Sequence, residues 1–172
     1  MNQTLELMKT RRSIRKFNSK PVPAELIEKI AEAGIYAASG RNRQSPVVIA
    51  VTDKDVIDRL RKTNAAVMGS DGDPFYGASV VLVVLASKEY HTYVYDGSLV
   101  MGNLMLAAHS LGVSSCWIHR AKETFEQAEW KEWLASLGLE GEYEGIGNCV
   151  LGYTDGEYPP VLPRKEGRII SV

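Results

Sequence analysis

The run Val80-Val81-Leu82-Val83-Val84-Leu85 constrains this chain more than any other stretch, because it is apolar at every position instead of every second one. A strand of that kind has no face to offer water, so it must lie in a sheet covered on both sides. The flanking segments supply the cover. Leu26, Ile27, Ile30, Ala31, Gly34 and Ala37 recur at helical spacing behind Pro23, which predicts an amphipathic helix over 23–38. Val47 to Val51 reads as a short strand, and Thr52 with Asp55 offers a cap for a helix carrying Val56, Ile57 and Leu60.

From Asp96 to Leu111 apolar side chains surround nearly the whole circumference of a predicted helix, so it is either central to the domain or covered by another subunit. Val113 to Ile118 predicts a further strand, Lys122 to Leu137 an amphipathic helix with Phe125, Trp130, Trp133 and Leu134, and Asn148 to Gly152 a last core strand. These elements make an α+β protein, an α/β sandwich with a central mixed sheet flanked by helices. The 172 residues, 45% of them hydrophobic, suit one domain over 1–172. The tail from Tyr158 to Val172 holds three of the seven prolines and reads as an extended arm that needs a surface to dock on.

Twenty basic against 21 acidic side chains leave a formal charge of −1, which gives no general attraction for nucleic acid. The first residues lack a signal-peptide pattern and no apolar run is long enough to cross a bilayer, so a cytoplasmic location is expected. Cys116 and Cys149 each sit in a strand-like apolar stretch and are expected as reduced core thiols. His91, His109 and His119 show no metal-ligand spacing, and no metal is expected. Cys116 and His119, three apart on a strand, point to opposite faces, which disfavours a thiol nucleophile with its base. Gly145, Gly147 and Gly152 precede a strand instead of following one, unlike a dinucleotide fingerprint.

The densest polar feature is Arg11-Arg12-Ser13-Ile14-Arg15-Lys16, at the end of a short amphipathic helix bearing Leu5 and Met8. Guanidiniums and a hydroxyl suit an anion, although the same cluster would also serve as a solvated basic face at a helix C-terminus. Two further segments add to it: Ser39-Gly40-Arg41-Asn42-Arg43-Gln44 before a strand, and Arg164-Lys165 in the arm. The amides of Asn42 and Gln44 suit the edge of a heterocycle or a sugar chain. An RNA-binding use of the arginines would lack aromatic platforms and net positive charge.

Taken in order, Arg11-Arg12-Ser13-Ile14-Arg15-Lys16-Phe17, Ser39-x-x-Asn42-x-Gln44 and Pro163-Arg164-Lys165 resemble the FMN-dependent nitroreductase family, and the likeness runs through nearly the whole chain. It extends to the helix from Asp96, the Leu111 to Trp117 stretch and Val150-Leu151-Gly152-Tyr153. The loop departs from the commonest pattern in reading Ala38-Ser39 before Asn42, and Gln44-Ser45-Pro46 after it.

The resemblance implies an interwoven homodimer with FMN at the subunit interface and an extended C-terminal arm. Arg11, Ser13, Arg164 and Lys165 would lie near the FMN phosphate and ribityl chain and Arg15 near the N1 and O2 edge of the ring, with Arg12 a cofactor-binding residue of no assigned position. Ser39, Asn42 and Gln44 would come from the partner subunit, and the backbone of Trp117, Ile118, His119 and Arg120 would pass close to the flavin. NADH or NADPH would supply hydride, and a nitro compound or quinone would accept it; the same binding residues would also serve a protein that stores, delivers or senses FMN. The Gly- and Asp-rich segment 64–77 is the expected lid.

Overall fold

A computed structural model describes residues 2–172. Helix α1 (Gln3–Thr10) is capped by the Asn2 side chain and leads into an extended stretch, followed by α2 (Ala24–Ile35) and a 3-10 turn at Gly40–Asn42. Then come β1 (Pro46–Val51), α3 (Lys54–Met68), β2 (Val80–Ser87), α4 (Tyr93–Ser110), β3 (Ser114–Ile118), α5 (Ala121–Phe125), α6 (Ala128–Ser136) and β4 (Tyr143–Gly152). The sheet runs β1-β2-β4-β3.

Alternation along β2 divides the core in two. Val81, Val83 and Leu85 face a layer built from α3, α5 and α6 with Leu60, Phe125 and Trp130. Val80, Leu82 and Val84 face α2 and α4, with Ile30, Met101 and Leu104. The expectation of a strand buried on both faces therefore holds, with Val81 to Ala86 at 0% exposure. The expected mixed pairing is corrected: every pairing between the four strands is antiparallel, and the parallel contact among the described residues is the isolated bridge between Ser13 and Ser115. Double burial reports what lies above and below a strand, and says nothing about the direction of the strands beside it.

Four further boundaries differ from the sequence reading. The cap of α3 is Asp53, whose Oδ1 accepts from the Asp55 and Val56 amides at 2.9 Å, and not Thr52. Helix α4 starts at Tyr93, a turn before Asp96. Lys122 to Leu137 is two helices, broken where Gln127 is extended. Phe125 and Trp130, five residues apart, would lie about 140° apart on one continuous helix. The break brings them together, with Phe125 and Trp130 centroids 5.7 Å apart and Trp130 and Trp133 5.4 Å apart. Strand β4 begins at Tyr143, so Gly145, Gly147 and Gly152 lie inside it. A side chain at Gly147 would strike the Trp117 indole, and one at Gly145 the backbone of Ala121.

Cys116 and Cys149 are free and buried. Cys116 packs with one layer and Cys149 with the other, so the strand alternation itself keeps them apart. Among the described residues no helix is long and apolar enough to cross a membrane.

Candidate functional site

Helix α1 ends at Arg11, whose backbone turns extended while its amide still donates to the Leu7 carbonyl. The chain then runs along the outer edge of the sheet. The Ile14 amide donates to the Ser115 carbonyl at 3.0 Å, and the Asn18 amide to that of Tyr153 at 2.9 Å. Ile14 and Phe17 are buried in the core as two anchors. The residues beside them consequently turn outward, and Arg11, Arg12, Ser13 and Arg15 line one cleft of about 470 Å³. Pro159, Pro160, Leu162 and Arg164 from the C-terminal segment form its other wall.

Four guanidiniums thus share a cleft with no carboxylate among its lining residues. Arg12 is committed to backbone: its Nε donates to the Pro160 carbonyl at 3.1 Å and its Nη1 to those of Lys9 and Arg11 at 2.9 and 2.6 Å. Arg11 Nη1 and Arg12 Nη2 are buried without a hydrogen-bond partner. Such an orphaned charged donor is costly, and an anion in the cleft is a chemically matched acceptor. Lys16 is spent elsewhere, paired with Asp155 at 2.9 Å. Lys165 is exposed and does not line the cleft.

Trp117 and Ile118 lie at the end of β3, with Ile118 buried and Trp117 half-buried against the α2 and α4 layer. His119 is exposed, and its carbonyl accepts from Asn64 Nδ2 at 2.9 Å. Arg120 adopts a left-handed conformation with φ 74° and its guanidinium pairs with Glu123 at 2.7 Å. Burial pushes the Cys116 thiol up and that of Cys149 up to about 12, so neither is a ready nucleophile.

Ser39, Asn42 and Gln44 do not reach the arginine cleft of their own chain. They form a separate exposed loop in which the Gln44 amide donates to Ser39 Oγ at 3.0 Å and Gln44 Nε2 to Asn42 Oδ1 at 3.1 Å. Asn42 and Gln44 have φ of 54° and 51°, left-handed values that are uncommon outside glycine and that Asn adopts more readily than most residues. Asp96 on α4 anchors the start of this loop: its carboxylate accepts from the Gly40 amide at 3.0 Å, and also from Thr92 Oγ1 at 2.9 Å. Sequence reasoning passed over Asp96, Tyr158 and the lining prolines, since a single acid in an apolar helix and a tyrosine in a tail carry no pattern of their own.

The segment 64–77, the expected lid, is tied down at both ends and exposed from Met68 to Gly72. Its first five residues finish α3, Asn64 and Phe75 are fully buried, and Asp73 accepts from the Phe75 and Gly77 amides at 2.8 and 2.7 Å. Among the described residues no group of three or more His, Cys, Asp or Glu is placed to hold a metal.

Residues 8–161 match the Nitroreductase family, a span that takes in the arginine segment, the Ser39 to Gln44 loop and the first part of the arm. The chain belongs to that family. Its fold superposes on a nitroreductase with bound FMN from Bacteroides fragilis with a TM-score of 0.90 and 30% identity, covering 100% of both chains. A second nitroreductase with bound FMN, from Desulfitobacterium hafniense, gives a TM-score of 0.88 at 29% identity, covering 100% of this chain and 99% of that one. A putative NADH dehydrogenase/NAD(P)H nitroreductase of Methanothermobacter thermautotrophicus is 32% identical over 117 residues, which are 66% of this chain and 59% of that protein. The nitroreductase match stops short of Arg164 and Lys165, although Arg164 shares the cleft with the matched arginines.

Proposed function

We propose that this chain is a single-domain, FMN-dependent oxidoreductase that works as a cytoplasmic homodimer, taking hydride from NADH or NADPH and passing it to an electron-poor acceptor such as a nitro compound or quinone. The observation that carries the reading is the carboxylate-free arginine cleft with its buried, unpartnered Arg11 Nη1. That donor set fits a phosphate monoester, and FMN ends in one.

Bound FMN would supply the hydride chemistry, and the protein would position it and set its electrostatics. Arg11, Ser13 and Arg164 would hold the phosphate and ribityl chain, with Arg12 bracing the cleft wall through Pro160 and Lys165 close by. Arg15 would stabilise negative charge on the reduced ring, a preorganised effect that favours reduction. The backbone from Trp117 to Arg120 would border the ring. Ser39, Asn42 and Gln44 would reach it from the partner subunit, which accords with their distance from the cleft of their own chain. Tyr95 and Leu99 on α4, at 72% and 51% exposure, and Leu5 and Met8 on α1 support a partner, since so much apolar surface on two neighbouring helices calls for cover.

The deciding experiment is the visible absorption of the purified chain, followed by anaerobic addition of NADH and then NADPH. A flavin spectrum that bleaches promptly is expected. A flavin spectrum that persists would favour storage, delivery or sensing of FMN, and a colourless chain that FMN does not reconstitute would refute the reading. Arg164→Ala should weaken FMN binding about 10- to 100-fold, the loss of one charged hydrogen-bond donor. Arg15→Ala should instead lower the flavin potential while sparing much of the binding.

A further inference from the structure

One network at the edge of the cleft has no part in the proposed hydride chemistry. The Arg12 amide donates to Tyr158 Oη at 3.0 Å, and Tyr158 Oη lies 3.2 Å from His109 Nδ1. His109 Nε2 lies 2.9 Å from Thr10 Oγ1, and Thr10 Oγ1 donates to the Glu6 carbonyl at 2.8 Å. With neutral imidazole, one arrangement of protons satisfies all four contacts. Thr10 has a single hydroxyl proton and gives it to Glu6, so His109 Nε2 must be the donor to Thr10. Nδ1 is then an acceptor, and the Tyr158 hydroxyl donates to it. The Tyr158 ring also stacks on the imidazole, with centroids 5.9 Å apart and planes 20° apart.

This network closes on a segment that is otherwise loose. Beyond Pro160, whose carbonyl accepts from Arg12 Nε, no hydrogen bond ties residues 161–172 to the rest of the chain among the described residues. Arg164, four residues farther on, nevertheless lines the anion cleft. Before Tyr158, the preceding anchor is Asp155, whose amide donates to the Lys16 carbonyl and whose carboxylate pairs with Lys16.

We infer that Tyr158, seated on His109, is a positioning residue that fixes the arm so that Arg164 is presented to the phosphate of the bound ligand; this rests on the reading of the cleft as an FMN site. Without the clamp, the Arg12 Nε bond to the Pro160 carbonyl alone holds the arm between Asp155 and Arg164, and whenever that exposed bond opens the tether to Arg164 grows from four residues to nine. The local concentration of a tethered group falls roughly as the −3/2 power of tether length, so this lengthening weakens the Arg164 contribution by up to about threefold.

The test compares Tyr158→Ala and Tyr158→Phe with the unchanged protein, measuring affinity for FMN and for riboflavin by quenching of flavin fluorescence. FMN affinity should fall about two- to threefold in Tyr158→Ala and less in Tyr158→Phe, which keeps the stacked ring. Riboflavin, which lacks the phosphate, should change by less than about twofold, and adding Tyr158→Ala to Arg164→Ala should cost nothing more. Equal losses for both flavins, additive losses with Arg164→Ala, or no loss at all would overturn the clamp. Amide hydrogen exchange over residues 156–165 tests it without any flavin: faster exchange in Tyr158→Ala is expected, and unchanged exchange overturns it. Failure of the unchanged protein to bind FMN would overturn the flavin reading alone.

Discussion

Replacing Asp96 with Ala removes two hydrogen bonds at once, one from Gly40 in the loop that carries Ser39, Asn42 and Gln44 and one from Thr92 at the start of α4. Asp96 is 3% exposed, and its carboxylate accepts from the Gly40 amide at 3.0 Å and from Thr92 Oγ1 at 2.9 Å. Bonds to a charged acceptor are each worth about 1.5–3 kcal/mol, which gives roughly 3–6 kcal/mol for the pair. Removing a buried carboxylate also relieves its desolvation, so the net loss should be about 2–3 kcal/mol. For a chain of this size that lowers the melting temperature by about 5–10 °C.

Asp96→Asn discriminates the cause. Its amide oxygen still accepts from Gly40 and its amide nitrogen can donate to the Thr92 hydroxyl, so only the charge assistance goes, at about 1 kcal/mol. Thermal unfolding followed by circular dichroism reads both variants. An Ala variant within about 0.5 kcal/mol of the unchanged protein, or an Asn variant as damaging as Ala, would refute the reasoning. Because this contact anchors the start of the Ser39 to Gln44 loop, the Ala variant should also bind FMN more weakly.

Two further predictions concern protons. His109 is held below its ordinary value of 6.5, chiefly by burial and further by Arg11 and Arg12. The folded chain therefore takes up this proton less readily than the unfolded one, so its contribution is present above 6.5 and lost as the pH falls below it. Denaturant titrations should show stability declining on acidification, with a shallower decline in His109→Gln; identical slopes would refute the assignment. Burial raises Cys149 from 9.0 to about 12, with Cys116 raised as well, so the folded state keeps protons that the unfolded chain releases, and stability should fall as pH climbs between those values. Iodoacetamide near neutral pH should label both thiols only after unfolding, and prompt labelling of the native chain would contradict their burial.

Much of this protein was legible in the sequence because its signals are local. Val80 to Leu85 announced a strand covered on both faces, and it is so. The basic segment after α1 marked a candidate anion site, and four of the named residues, Arg11, Arg12, Ser13 and Arg15, line one cleft with Arg164. The aromatic residues of 122–137 were recognised as core, but the break between α5 and α6 was not, because it is imposed by where Phe125 and Trp130 must both pack. Lys165 stood beside Arg164 in the sequence and lies outside the cleft, since adjacent residues of an extended segment point in different directions.

By itself the sequence determined which stretches are apolar on one face or on both, where the positive charge gathers, and which family motifs appear in which order. Those properties depend on residue type and spacing along the chain. Only the tertiary structure decided that the strands pair antiparallel, that Asp96 bonds Gly40 in the Ser39 to Gln44 loop from 56 residues away, that Tyr158 reaches back 146 residues to Arg12, and that Arg164 lines the same cleft as Arg12. Each of these joins groups far apart in the chain. A hydrogen bond of 3 Å is a fact about space, and separation along a sequence carries no record of it until the layers have packed.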